Sequence, residues 1–199
     1  IYMKSNEKTI LIVDFEATCD ENEHLVPRHK MEIIEIGAVK VRLSDFKCVD
    51  KFQTLVKPVR SPILTDFCKE LTGIKQEEVD SAPSLYEAAP NFFDWCWSNS
   101  NTVAWCSWAM YDYYQLEQDC EHFFIDNELL CIEHLNLKNL YGDVTFGRRR
   151  GLKNAIREQG LKFEGRNHRG LDDAINALKI IKHIPKFKEE IQQKINEVT

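Results

Sequence analysis

The sequence predicts an α/β fold, a mixed five-stranded sheet flanked by helices. Three observations predict it. Strand signals come first and lie close together, at 9–18, 33–43 and 46–57. Beyond residue 60, helical patterns alternate with two further strand signals. No internal repeat, low-complexity tract or Pro/Gly/Ser linker interrupts the 199 residues. They read as one domain, 1–199, with a core at about 9–184 and a carboxy-terminal helix at 185–199.

Taken in order, Thr9–Thr18 (TILIVDFEAT) begins as a short buried apolar run. Ile33–Leu43 is rich in β-branched residues, and Phe46–Lys57 is a third strand closed by Pro58. The short polar turns between them suggest an antiparallel meander. Helical patterns follow at about 62–71, 84–98, 112–124 and 150–158, with Gly160 as a stop for the last. Thr102–Ser107 reads as a fourth strand and Leu129–Ile132 as a weak fifth. In Gly170–His183, Leu171, Ile175, Leu178 and Ile181 recur at helical spacing and make one buried stripe. In the tail, Phe187, Ile191 and Ile195 stand four apart, which suggests a terminal helix lying on the surface.

Composition excludes several classes. Hydrophobic residues make up 43% and charged residues 29%, an ordinary globular balance. The longest apolar runs, such as Ile10–Val13, are far short of a bilayer span, and Ile1-Tyr2-Met3-Lys4 opens without an apolar signal region. Neither secretion by that route nor a membrane partner is expected. The seven cysteines include no C-x-x-C pair, so neither a zinc clamp nor a disulfide framework is indicated, and a cytoplasmic location is expected. The net charge of -6 argues against a surface coated in basic charge. Between Arg148 and Arg169, however, eight basic residues face only Glu158 and Glu164. The stretch is either a solvated face or a track for phosphates.

Asp14 and Glu16 sit two apart near the end of the first strand, so both carboxylates point to the same face. Burying two like charges side by side is costly unless something compensates. A hard divalent cation such as Mg²⁺ or Mn²⁺ does so well. Alone, Asp112 reads as a first-turn acid that suits a helix dipole. His168 falls just before a helix, and Asp173 lies within its first turn or so. The remaining histidines (24, 29, 122, 134 and 183) read as surface or satisfied core residues.

The ordered set is Asp-x-Glu on a first strand, a later aspartate at a helix start, then His-x4-Asp near the end. It resembles the DEDDh 3′–5′ exonucleases, most closely their Eri-type, RNA-trimming branch. Asp14-Phe-Glu-Ala-Thr-Cys19, Met31-Glu-Ile-Ile-Glu-Ile-Gly-Ala38, Leu71-Thr-Gly-Ile74, Ser107-Trp-Ala-Met-Tyr-Asp112 and His168-Arg-Gly-Leu-Asp-Asp-Ala174 carry the resemblance. Any one motif is weak; five in order are strong. Ala109 stands where such relatives often have glycine after Ser-Trp. A different alignment would put the second-motif aspartate at 109, where this chain has alanine. The helical offsets of Leu116 and Cys120 favour Asp112.

The resemblance implies a ribonuclease H-like fold and two-metal hydrolysis of a terminal phosphodiester, with release of nucleoside 5′-monophosphates. It implies two Mg²⁺, or Mn²⁺, held by Asp14, Glu16, Asp112 and Asp173, with His168 as general base. It implies that the backbone at Ala17 and Thr18 meets the terminal sugar. Leu25, Met31 and Trp108 are candidates to pack on terminal bases. Arg148, Arg149 and Arg150 open the basic stretch that leads to His168 and are candidate phosphate contacts. The expected partner is a nucleic-acid 3′ end, single-stranded RNA before DNA. A proofreading-like DNA exonuclease, an inactive end-binding module and an enzyme on small phosphate substrates are the rivals, and the oligomeric state is left open.

Overall fold

The computed structural model describes residues 7–99, 101–147 and 149–198. Five strands, β1 (Lys8–Ala17), β2 (Ile33–Arg42), β3 (Cys48–Leu55), β4 (Asn101–Ser107) and β5 (Glu133–Asn136), make a mixed sheet in the order β3-β2-β1-β4-β5. The first three form an antiparallel meander; β4 runs parallel to β1, and β5 parallel to β4. The helices are α1 (Asp66–Thr72), α2 (Gln76–Asp80), α3 (Leu85–Trp97), α4 (Tyr111–Phe123), α5 (Leu137–Val144), α6 (Leu152–Glu158), α7 (Gly170–His183) and α8 (Pro185–Val198).

The central strand β1 is covered on both faces, which is why it begins as a continuous apolar run. Alternation sorts its side chains. Ile10 and Ile12 join Ala174, Ala177 and Leu178 of α7 in one core. Leu11, Val13 and Phe15 join Phe92 of α3 and Leu116 of α4 in the other. Asp14 and Glu16 continue the even-numbered series, so they emerge on the side of α7. That helix lies close against the sheet because two glycines meet. A Cβ on Gly37 of β2 would fall 2.0 Å from the Gly170 carbonyl carbon, and one on Gly170 would fall 2.7 Å from the Asp14 carbonyl oxygen.

Four elements differ from their sequence-based expectation. The fifth strand is Glu133–Asn136, and the apolar 129–132 stretch lies mostly in a 3-10 turn, Glu128–Cys131. Asn127 caps that turn by accepting the Leu129 N–H at 3.2 Å, and the edge strand itself buries only Leu135. Its sequence therefore carries almost no strand pattern. Helix α5 goes unforeseen because Asn139 and Gly142 interrupt it; Asn136 caps it by accepting the Asn139 N–H at 3.1 Å. Helix α2, five residues long, has no period to detect. Finally, α8 does more than lie on the surface: Phe187, Ile191 and Ile195 are each 0% exposed and belong to the core beneath α5 and α7.

Candidate active site

The end of β1, the start of α4 and the start of α7 converge on a cleft of about 540 Å³. Asp14, Glu16, Asp112, His168 and Asp173 all line it. Asp112 enters from the first turn of α4, where its Oδ1 accepts the Phe15 N–H at 2.8 Å. That bond ties the helix start to the acid-bearing strand. Asp112, and not position 109, thus supplies the carboxylate here; Ala109 lines the same cleft with only a methyl group. From α7, Asp173 accepts the His168 N–H on Oδ2 at 2.8 Å. His168 itself stands at φ +64°, in the left-handed region. One ligand atom from each of Glu16, His168 and Asp173 lies within 4.8 Å of the others.

The electrostatics are those of charge gathered without enough compensation. Burial, and then the charges of Asp112, Glu16, Asp173 and Glu35, hold Asp14 well above the usual carboxylate range. Burial, then Asp173, Glu35 and Asp112, do the same to Glu16. Burial pushes Asp112 up to about 7 against the pull of the Phe15 N–H. Asp173 is pushed up to about 7, again chiefly by burial. Its Oδ1 is buried and has no hydrogen-bond partner among the described residues. A cation suits this donor set: several hard oxygens, one of them orphaned, in a medium that penalises their charge. Burial, then the charges of Lys153 and Arg166, lower the pKa of His168.

The expected substrate contacts divide. Ala17 and Met31 line the cleft. Trp108 lines it too, but it is only 7% exposed, its Nε1 donates to the Arg150 carbonyl at 2.9 Å, and its ring packs on Tyr141. Most of that side chain is core. Thr18 does not reach the cleft: its N–H donates to the Glu32 carbonyl at 2.8 Å, and its hydroxyl accepts the Glu32 N–H at 2.9 Å. It closes the loop between β1 and β2 instead. Leu25 is exposed and outside the lining. Arg149 and Arg150 are exposed and outside it as well, with Arg150 3.4 Å from Glu158. Arg148 lies outside the described residues.

The cleft's cationic wall comes from further along the same basic stretch, at Lys153. Leu71, Tyr111, Asn154 and Asn167 are among the other residues that line the cleft. Leu71 and Tyr111 belong to quoted motifs and Lys153 to the basic run, so their neighbourhoods were visible in sequence, but not which way each faces. His134 is a satisfied, half-buried residue, as expected from the sequence. Its Nε2 lies 3.0 Å from the Ser107 hydroxyl, which itself donates to the Ala109 carbonyl. Its ring packs on Trp105 and Tyr113.

A sheet of this order, with acids at the end of its central strand and helices on both faces, defines the ribonuclease H-like class of nuclease folds. More narrowly, the chain belongs to the exonuclease family (RNase_T), which matches residues 11–181, and within it to the DEDDh exonucleases of Eri type. It is 31% identical to ERI1 exoribonuclease 2 of Homo sapiens over 189 residues, 84% of this chain and 27% of that protein. It is 32% identical to the 3'-5' exonuclease Snipper of Drosophila melanogaster over 184 residues, 84% of this chain and 66% of that protein. Among solved structures, the nuclease domain of 3'hExo, a DEDDh family member bound to rAMP, superposes with a TM-score of 0.80. That pair is 28% identical, covering 90% of this chain and 92% of the other. The chain thus spans only about a quarter of the length of the ERI1 exoribonuclease 2 relatives.

Proposed function

We infer that the chain is a 3′–5′ exonuclease that shortens single-stranded RNA from its 3′ hydroxyl end and releases nucleoside 5′-monophosphates. The observation that carries this reading is the convergence of Asp14, Glu16, Asp112 and Asp173 beside His168 in one cleft. Membership of the exonuclease family implies divalent cations, and the donor set fits two Mg²⁺ or Mn²⁺. Asp14, Glu16, Asp112 and Asp173 would hold them. When bound, such ions polarise the scissile phosphate and offset charge on the attacking and leaving oxygens.

The chain's own groups do the rest. His168 is half-buried, and its lowered pKa keeps the imidazole neutral near pH 7, so a ring nitrogen can accept the proton of the attacking water. Lys153 offers positive charge to a backbone phosphate. Ala17, Met31, Leu71 and Tyr111 give the cleft an apolar side on which a terminal nucleoside can rest. RNA is favoured over DNA by what the relatives are: exoribonucleases by name, a nuclease domain bound to rAMP, and a 3'-exonuclease that recognises a histone mRNA stem-loop.

The test is digestion of matched RNA and DNA oligomers, each with a free or a blocked 3′ end, with Mg²⁺ or with chelator. Expected is stepwise shortening of free-ended RNA in Mg²⁺ only, abolished by Asp14→Ala. Faster loss of DNA would move the substrate class to DNA. Cleavage of blocked ends, or undiminished digestion by Asp14→Ala, would remove the assignment.

A further inference from the structure

The residue that follows His168 is gripped from inside the sheet. Glu35 lies in β2 directly opposite Glu16 of β1, and its side chain is 0% exposed. Its Oε1 accepts from Arg169 Nη2 at 2.9 Å and from Gln53 Nε2 at 2.7 Å. Its Oε2 accepts from Arg169 Nε at 3.0 Å and from the Gly170 N–H at 2.9 Å. A buried carboxylate is tolerated only when paired and fully bonded, and this one is. Neither Glu35 nor Arg169 lines the cleft. The residues on either side of the gripped pair do: His168, and Asp173 one turn into α7. The anchorage leaves no slack, because Gly170 already abuts the Asp14 carbonyl and Gly37.

We propose that Glu35 and Arg169 form a positioning clamp for the hydrolysis. The buried carboxylate fixes Arg169 and Gly170 against the sheet, so that His168 and Asp173 stand where they meet Glu16. The clamp rests on the nuclease reading for its purpose, but its geometry stands apart from it. Both residues act through their neighbours and touch no substrate. The fork of a guanidinium on two carboxylate oxygens sets direction as well as distance, which a lysine cannot copy. Glu35→Gln keeps the shape but turns one of the two acceptors into a donor facing Arg169.

Two measurements test this on the full chain. The first is kcat and KM on a single-stranded RNA oligomer in Mg²⁺ for wild type, Glu35→Gln, Arg169→Lys, Arg169→Ala and the double variant Glu35→Gln/Arg169→Ala. Expected is a fall in kcat of about 10–100-fold, the scale typical of lost outer-shell support, with KM little changed. The double variant should be no worse than the poorer single one. Arg169 is 26% exposed, so added methylguanidinium should restore part of the Arg169→Ala loss. The second measurement needs neither metal nor RNA: amide exchange at residues 168–170 in Arg169→Lys and Glu35→Gln. It should accelerate by more than the fall in global stability accounts for, that fall being read from the slowest-exchanging core amides of the same variants. Wild-type kcat in the variants, additive losses, or exchange no faster than that fall explains would each overturn the clamp. Should the wild type leave RNA intact, the nuclease reading falls, and the exchange result still decides the clamp.

Discussion

His168 combines two requirements that pull apart. Its ring reaches the cleft, while its backbone sits at φ +64°, where a Cβ is disfavoured. The N–H bond to Asp173 helps hold that turn. Removing the ring should lower kcat about 10²–10⁴-fold if it serves as base. The backbone makes a second, separate forecast. His168→Gly relaxes the turn, whereas His168→Ala keeps the strain without the function, so both variants should be equally inactive and the glycine one should melt higher. Steady-state kinetics and thermal melting read the two effects independently. Full activity in His168→Ala would dismiss the base, and equal melting of the pair would dismiss the strain. The motif His168-x4-Asp173 was legible because it needs only spacing; the left-handed turn that makes the spacing useful was not.

At the scale of elements, the placement of α7 depends on bare backbone. Gly37 and Gly170 let helix and strand touch where any side chain would collide. Gly37→Ala should therefore cost about 1–3 kcal/mol or more of stability, since the obstructing atoms are main chain and cannot step aside. Urea denaturation measures it; a loss within about 0.5 kcal/mol, ordinary for a surface change, would mean the contact can open. Strand β2 could be recognised from Ile33–Leu43 because nearly every residue in it is buried. Strand β5 could not, because at the sheet edge only Leu135 carries an apolar signal. Helix α8 was visible as a stripe, yet its depth of burial depends on the groove that α5 and α7 leave for it.

Across the whole molecule, the gathered acids link stability to protons and cations. Asp14 and Glu16 are held well above the carboxylate range, and Asp112 and Asp173 are pushed up to about 7. Groups whose folded pKa exceeds the unfolded value of about 4 contribute stability fully below that value and lose it as pH rises through about 7. In chelator, the melting temperature should thus fall between pH 6 and pH 8. Mg²⁺ or Mn²⁺ should raise it, and more at pH 8, because the ion takes over from the lost protons. Scanning fluorimetry at both pH values provides the check. A flat profile in chelator with no gain from either ion would contradict a shared cation site.

The order of motifs, the strand-first layout and the common face of Asp14 and Glu16 were determined by sequence alone, because alternation along a strand and spacing along a helix are local properties. Which other side chains join them was decided only in three dimensions. Lys153 lines the cleft while Arg149 and Arg150 lie outside its lining, and Thr18 spends its polar groups on Glu32. Glu35 looked like one more strand residue until Arg169, 134 positions away, closed on it. The reason is physical: a side chain's partner across the fold depends on how helices dock and where loops return, and no local period records that.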